Sequence, residues 1–370
     1  MNKNLPLESL RGIAALLVVI YHFKLVVPFP DNLFIDHAYI MVDFFFVLSG
    51  FVIAMNYLNR IEQFEDVVKF QTRRFWRLYP LHFATLMFFV IRDVPTALRE
   101  IMHGNYLPQM LQTEYLLKLT SHLTMTHALF LDKLAFVWPS WSISTEFFAY
   151  MFFAMTLLLV RRRRITAYLF FIIISGVVNW RWGSGLESIC GFGIFRCLYS
   201  FFLGALTWQL FQNHKTQYRS FMPMCVLTAS LVAVMTLTKG QFEPIIPWLF
   251  CLCVACVSAL QEKAWLKRLL SHRFLVYLGT ISYSLYLTHA IVIIVYLDVL
   301  RRVMKTTIIK DDAGHILNQT TPLNTVLLIL GGLVVTIGVS HLTYHFIENR
   351  FRRGLRKQPS IQKVPTTSTV

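Results

Sequence analysis

The chain has 370 residues, 56% of them hydrophobic and only 15% charged, and its mean hydropathy of +0.55 excludes an ordinary soluble protein. The net charge of +16 would suit nucleic acid, but basic residues of membrane proteins mark cytoplasmic loops and contacts with anionic headgroups. We therefore expect membrane lipids as partners and no nucleic acid.

The six cysteines follow no metal-ligand spacing, and we expect no metal cofactor. Four of them lie in apolar runs, where a cysteine behaves as a small core residue. Cys190 and Cys197 lie in or beside a short loop and are able to pair if that loop faces an oxidising compartment.

Repeated apolar runs, most of them about 20 residues long, predict an all-α polytopic membrane protein. We place ten transmembrane helices at 8–27, 38–58, 79–93, 141–160, 165–180, 195–212, 221–238, 245–261, 276–300 and 324–346. With the N-terminus inside, 22 of the 35 lysines and arginines fall on the cytoplasmic side, which predicts both termini in the cytoplasm. Residues 1–353 then form the membrane domain, and the polar residues 354–370 a disordered cytoplasmic tail.

The first predicted span carries two ionisable residues, Arg11 and His22. Eleven helical residues rotate them to within about 20° of each other and separate them by roughly 16 Å along the axis, so both lie on one face. An ionisable residue inside a span usually faces a protein interior or a watery cavity and is a functional candidate. The alternative is an interfacial Arg11 and a His22 that hydrogen-bonds a neighbouring span.

The second span begins with Asp43 before three phenylalanines and continues to Ser49 and Gly50. Asp43 is either an interfacial N-cap or a carboxylate that holds one nitrogen of His22 and leaves the other free as a base. The small residues Ser49 and Gly50 allow another helix or a ligand to come close.

A basic cluster ends the first cytoplasmic loop, with Arg73, Arg74 and Arg77 followed by Tyr79. Positive charge on this side is expected from topology alone. The functional alternative is an anion site, because guanidinium groups make forked contacts with phosphate and Tyr79 can stack on a nucleobase. A nucleotide-bearing donor such as acyl-coenzyme A would suit it.

Polar side chains also enter the fourth and ninth spans. Trp141, Ser142 and Glu146 open the fourth, and a carboxylate with indole faces is typical of a sugar site, although tryptophan is also a common interfacial anchor. Tyr283 and His289 lie in a run of small and hydroxylated residues in the ninth, which suits either close helix packing or a polar cavity.

Together these segments resemble the acyltransferase-3 family of integral membrane acyltransferases, which modify bacterial surface polysaccharides, lipo-oligosaccharides and some small glycosylated molecules. The resemblance runs from Leu7 to about Arg352. It is carried by Leu10-Arg11-Gly12 with His22, Val42-Asp43-Phe44-Phe45, Leu48-Ser49-Gly50-Phe51, Arg73-Arg74 with Arg77-Leu78-Tyr79-Pro80, Trp141-Ser142 with Glu146, Ser282-Tyr283 with Tyr286-Leu287-Thr288-His289, and Glu348.

The resemblance implies a multi-pass protein of the bacterial inner membrane that moves an acyl group, acetyl in the simplest case, from cytoplasmic acyl-CoA to a hydroxyl of a cell-surface glycan or lipid-linked saccharide. We expect His22 to act as general base or transient acyl carrier, with Asp43 and Glu146 nearby and Arg11 on the donor side. Arg73, Arg74, Arg77, Tyr79, Ser49 and Gly50 are then donor-binding candidates, and Trp141, Ser142, Tyr283 and His289 acceptor-binding candidates.

Two other classes of function stay open. A non-catalytic transporter would use His22, Asp43 and Glu146 as a polar path, although the sequence indicates no broken-helix pair or inverted repeat. A scaffold subunit of an envelope assembly would need no chemistry at all.

Overall fold

The computed structural model describes residues 4–24, 32–103, 108–213, 217–304, 309–310, 316–317 and 322–356. Its α-helices are α1 Leu5–Lys24, α2 Leu33–Asp36, α3 Met41–Tyr57, α4 Phe64–Met102, α5 Thr113–Leu123, α6 His127–Phe130, α7 Trp141–Leu159, α8 Arg164–Arg181, α9 Gly193–Phe211, α10 Phe221–Thr236, α11 Ile246–Ser258, α12 Trp265–Leu270, α13 Arg273–Thr280, α14 Ser282–Met304, α15 Pro322–Thr343 and α16 Asn349–Arg356. Two short strands, β1 Ile309–Lys310 and β2 Ile316–Leu317, pair antiparallel. The predicted all-α class is therefore confirmed apart from this ribbon.

Six helices of the described chain are long and apolar enough to cross a membrane, or seven if the bent pair α13 and α14 is one span. They contain α1, α3, α4, α7, α9 and α15. The predicted runs at 221–238 and 245–261 do form helices, but α10 and α11 are only 16 and 13 residues long. The number of ten spans is therefore not confirmed.

The predicted third span, 79–93, is the middle of α4, a helix of 39 residues. At about 1.5 Å per residue it is about 58 Å long, well beyond a hydrocarbon core of about 30 Å. It begins with a capping box, in which Gln63 and Asp66 each accept a hydrogen bond from the other's backbone.

The tail predicted to be disordered lies largely outside the described residues. The last helix, α16, ends at Arg356, so residues 354–356 are helical, and residues 357–370 are not described. Cys190 and Cys197 are both free thiols, and no disulfide links them.

Glycines bring the central helices into backbone contact. A Cβ atom on Gly50 of α3 would lie 1.9 Å from the Phe201 carbonyl oxygen, and one on Gly204 of α9 would lie 2.0 Å from that of Val47. The helices therefore approach more closely than any larger residue allows. Gly50 is thus explained by helix packing, and the expectation that it binds the donor is not met, because it does not line the cavity described below.

Two irregularities in the helices have direct consequences for the site. The axes of α13 and α14 meet at 67° around Ile281, so these two helices form a broken pair. The sequence indicated no such pair, and that prediction is wrong. A π-helical turn, Tyr344–Glu348, joins α15 to α16. Such turns are frequent at functional sites, and this one ends on the buried Glu348.

Candidate active site

A cavity of about 720 Å³ lies between α1, α3, α4, α7, α14 and α16. The charged side chains of its lining are Arg11, Arg73, Arg74, Arg77, Arg352, Glu8 and Glu146. Positive groups outnumber negative ones, and the volume lies within the range of small-molecule sites. The cavity is therefore suited to an anionic ligand of moderate size.

The arginines of α4 lie on one face of the helix, because residues three and four positions apart are neighbours on a helix surface. This face lines the cavity. Arg74 is held by aromatic rings, with its guanidinium carbon 5.3 Å from the Tyr57 ring centroid and 5.7 Å from that of Tyr150. Its Nη2 also donates to the Tyr57 hydroxyl at 3.1 Å. Arg11, one turn along α1 from Glu8, pairs with that carboxylate at 3.0 Å.

Glu146 enters the same cavity from α7 and takes part in a tight polar cluster. Its Oε1 accepts hydrogen bonds from Ser49 Oγ and Tyr150 Oη, each at 2.5 Å. Glu146 is therefore brought together with the arginines and does not lie on a separate sugar-binding face. Ser142 also lines the cavity, and its Oγ lies 2.8 Å from the Tyr286 hydroxyl.

Arg352 is oriented by the π-helical turn. Its Nη1 donates to Glu348 Oε1 at 3.1 Å, and Ser284 Oγ donates to the other carboxylate oxygen at 3.0 Å. Near the bend, Tyr283 donates its hydroxyl hydrogen to the Leu78 carbonyl at 2.5 Å and lines the cavity. Tyr283 beside the bend and Arg352 after the π turn therefore both line the cavity.

The two intramembrane histidines lie beside each other beyond the cavity lining. The ring centroids of His22 and His289 are 4.8 Å apart, and His289 is fully buried. Tyr286, which lines the cavity, has its ring centroid 5.9 Å from that of His289 and therefore connects the cavity lining to the histidine pair. His22 Nδ1 lies 2.8 Å from the Val18 carbonyl, which can only accept, so Nδ1 carries the hydrogen and Nε2 is left as a base.

Asp43 does not hold His22, contrary to the sequence prediction. Its carboxylate is fully buried and accepts hydrogen bonds from Arg196 Nη2 at 2.6 Å, Arg196 Nε at 3.0 Å and Ser200 Oγ at 3.0 Å. The Val18 carbonyl instead sets the tautomer of His22.

Two aromatic candidates are also occupied by other contacts. Trp141 is 6% exposed, and the Arg196 guanidinium carbon lies 5.1 Å from its ring centroid, so its face is not open to a sugar. Tyr79 stacks on Phe75 at 4.4 Å and on Phe83 at 6.0 Å and does not line the cavity, so the expected stacking on a nucleobase has no free face there.

Arg196 is the clearest functional candidate in the structure for which the sequence pattern predicted no role. The signal was present, because a lone arginine in the apolar run Phe195–Cys197 needs a carboxylate from another span, and Asp43 is the obvious one. Tyr286 and Arg352 are harder to find, since their positions depend on the bend at Ile281 and on the π turn.

The fold and cavity define a multi-pass helical membrane protein with a basic small-molecule site. A profile of the acyltransferase-3 family, described as an acyltransferase domain, matches residues 4–345, and the chain belongs to this family. A putative membrane-bound transacylase of Komagataeibacter xylinus, BcsY, is 27% identical over 307 residues, which cover 78% of this chain and 72% of the relative. No solved structure matches the chain significantly. The chain is accordingly an integral membrane acyltransferase.

Proposed function

We propose that the protein transfers an acyl group, acetyl in the simplest case, from cytoplasmic acyl-CoA to a hydroxyl of a cell-surface glycan or lipid-linked saccharide. The bacterial inner membrane is the compartment that gives access to both substrates. The observation that carries the proposal is the arginine-lined cavity, whose lining includes Tyr286, the residue that contacts His289 of the histidine pair.

The donor fits the cavity by charge. Coenzyme A carries phosphate groups, for which guanidinium forks are the preferred protein ligands. The clustered arginines of α4 lie at the end of the chain's basic loop, which the charge bias assigns to the cytoplasm. The phosphates then bind Arg73, Arg77 and Arg352, and the thioester points toward Tyr286.

His22 supplies the base. Its Nε2 takes the proton of the acceptor hydroxyl, the resulting oxygen attacks the thioester carbonyl, and the carbon–sulfur bond breaks. The proton then passes from His22 to the departing thiolate, so free coenzyme A and an ester are the products. Asp43 acts at a distance here, by fixing α9 against α3 through Arg196.

The test uses inverted membrane vesicles supplied with radiolabelled acetyl-CoA. We expect label in the glycan or lipid fraction that mild alkali releases, as an ester requires. His22→Gln should lower incorporation by about 10²-fold or more, since general-base catalysis contributes about that much. Arg77→Gln should raise the donor KM about tenfold or more, the loss expected for a hydrogen bond to a charged group.

Arg162→Gln is the matched control, because this arginine is exposed and does not line the cavity. Wild-type incorporation in His22→Gln at equal protein level would refute the catalytic role. If the chain itself transferred no label, the transporter alternative would gain weight, since the broken pair α13 and α14 is the element that such a function would use. Uptake of labelled substrate without ester formation would then identify it.

A further inference from the structure

Three buried histidines lie together outside the proposed acyl-transfer site. They are His82 of α4, His122 of α5 and His127 of α6, and each is at most 4% exposed. One ring nitrogen of each lies within 4.8 Å of one nitrogen of both others. The rings of His122 and His127 are parallel, with centroids 3.9 Å apart.

Hydrogen bonds fix the tautomers of two of these rings. His82 Nε2 lies 2.9 Å from the backbone carbonyl oxygen of His122, which only accepts, so Nε2 carries the hydrogen. His127 Nε2 lies 3.0 Å from Ser140 Oγ, whose own hydrogen is donated to the Val137 carbonyl at 2.7 Å. His127 is therefore the donor to Ser140. In both rings Nδ1 keeps a free lone pair, and neither has a hydrogen-bond partner among the described residues.

The third ring is available as well. Neither nitrogen of His122 completes a hydrogen bond within the described chain, although the Ala135 carbonyl lies near it. Buried polar atoms without partners are rare and call for an explanation such as an ion.

We propose that His82, His122 and His127 bind a zinc ion. Three neutral imidazoles are a common zinc ligand set, which leaves a fourth position for water. With Nδ1 of His82 and His127 as the ligand atoms, the Nε2 hydrogen bonds of these two rings to oxygen are of the kind that orients zinc-bound imidazoles. Tetrahedral ligands at about 2.0–2.1 Å lie roughly 3.4 Å apart, so the ligand nitrogens must close by up to about 1.5 Å. The three rings are almost parallel, and they must also tilt so that their in-plane lone pairs converge on the ion. This departs from the expectation that the chain binds no metal.

The site links segments that are too short to be stable alone. α5 has 11 residues and α6 has four, and isolated helices of that length are marginal in water. Zinc would fasten both to the long α4, close to Ser140 and the start of α7. The ion therefore links three helices beside the proposed active site and keeps one position open for water.

The experiment uses full-length protein in detergent with a Strep tag, because a polyhistidine tag would bind zinc itself. After treatment with chelator and reloading with zinc chloride, elemental analysis should find about one zinc per chain. His122→Ala and His127→Ala should lose it. His103→Ala and His341→Ala are matched controls outside the cluster and should keep it; His341 also tests the neighbouring pair with His345.

Ser140→Ala keeps all three ligands and protects the test against misfolded variants. It should still bind zinc, with affinity weakened about 10–100-fold by loss of the orienting hydrogen bond. Cobalt in place of zinc should give the visible absorption of a tetrahedral site in the wild type and not in His122→Ala. Substoichiometric zinc in the wild type, or equal zinc in all variants, would overturn the proposal; acyl transfer is not used as a readout.

Discussion

The Asp43–Arg196 ion pair permits a sharp prediction about Asp43→Asn. The carboxylate accepts three hydrogen bonds of 3.0 Å or less, two from Arg196 and one from Ser200. The amide is uncharged and has only one acceptor oxygen, so with that oxygen toward Arg196 its NH2 group takes the place of the oxygen that accepts from Ser200. Arg196 is 1% exposed, so its charge is left buried without a full partner. Removing one partner of a buried pair costs about 3–5 kcal/mol.

At about 2 °C per kcal/mol for a large chain, the thermal midpoint should fall by about 6–10 °C. The assay is thermal unfolding in detergent followed by size-exclusion chromatography. Glu62→Gln is the control, because the Glu62–Arg161 pair is partly exposed, and an exposed pair contributes about 1 kcal/mol or less. The double variant Asp43→Leu with Arg196→Met should recover much of the loss, since apolar replacements of a buried pair are often neutral.

Activity measured on the same variant separates two roles. If Asp43 fixed His22, Asp43→Asn would abolish acyl transfer and leave the thermal midpoint near that of Glu62→Gln. That result would refute the reasoning from the structure. The structure predicts instead a destabilised protein whose folded fraction retains most of its specific activity.

Three further outcomes are expected. Gly204→Ala should destabilise the protein by about 1–3 kcal/mol or more, because the new methyl group overpacks the helix contact. Gly338→Ala is the control and should not lower the thermal midpoint, because no atom lies within 4 Å of the new Cβ. Tyr286→Phe keeps the ring that contacts His289 but loses the hydroxyl that contacts Ser142, so kcat in the acetyl-CoA assay should change by about tenfold or less. Tyr286→Ala removes the ring as well and should change kcat more. Glu348→Gln should raise the donor KM several-fold with little change in kcat. The reason is that Arg352 loses its hydrogen bond to a charged carboxylate, and such a bond contributes about 1.5–3 kcal/mol. An unchanged KM would contradict the orienting role of Glu348.

Much of the cavity was predictable from residue type and spacing. The basic run on α4 predicts either an anion site or a cytoplasmic location, and it consists of Arg73, Arg74 and Arg77. Glu146 enters an apolar run without a nearby cation, which also marks it as a site residue. The sequence does not predict that these residues line one cavity, because that depends on the axial position at which α7 packs against α4.

The errors share a cause, which is competition between partners. Consecutive spans are the simplest neighbours, which predicts a pair of Asp43 with His22, yet the guanidinium of Arg196 offers a forked ion pair that a neutral imidazole cannot match. Trp141 is a residue type that often stacks on sugar rings, but the guanidinium of Arg196 covers the face of its indole ring. Pairwise competition of this kind is decided by packing across the whole bundle, which no local pattern records.

The separation of arginines from His22 has a chemical reason. A general base becomes positively charged as it takes the proton, so a nearby guanidinium opposes the step. At an effective dielectric constant of about 20, two unit charges interact by about 4 kcal/mol at 4 Å but by only about 1 kcal/mol at 16 Å, roughly the axial offset of Arg11 and His22. The difference of about 3 kcal/mol is worth on the order of 10²-fold in rate. A donor site rich in arginine is therefore compatible with a histidine base when the two lie apart, and neutral Tyr286 is the lining residue that contacts His289.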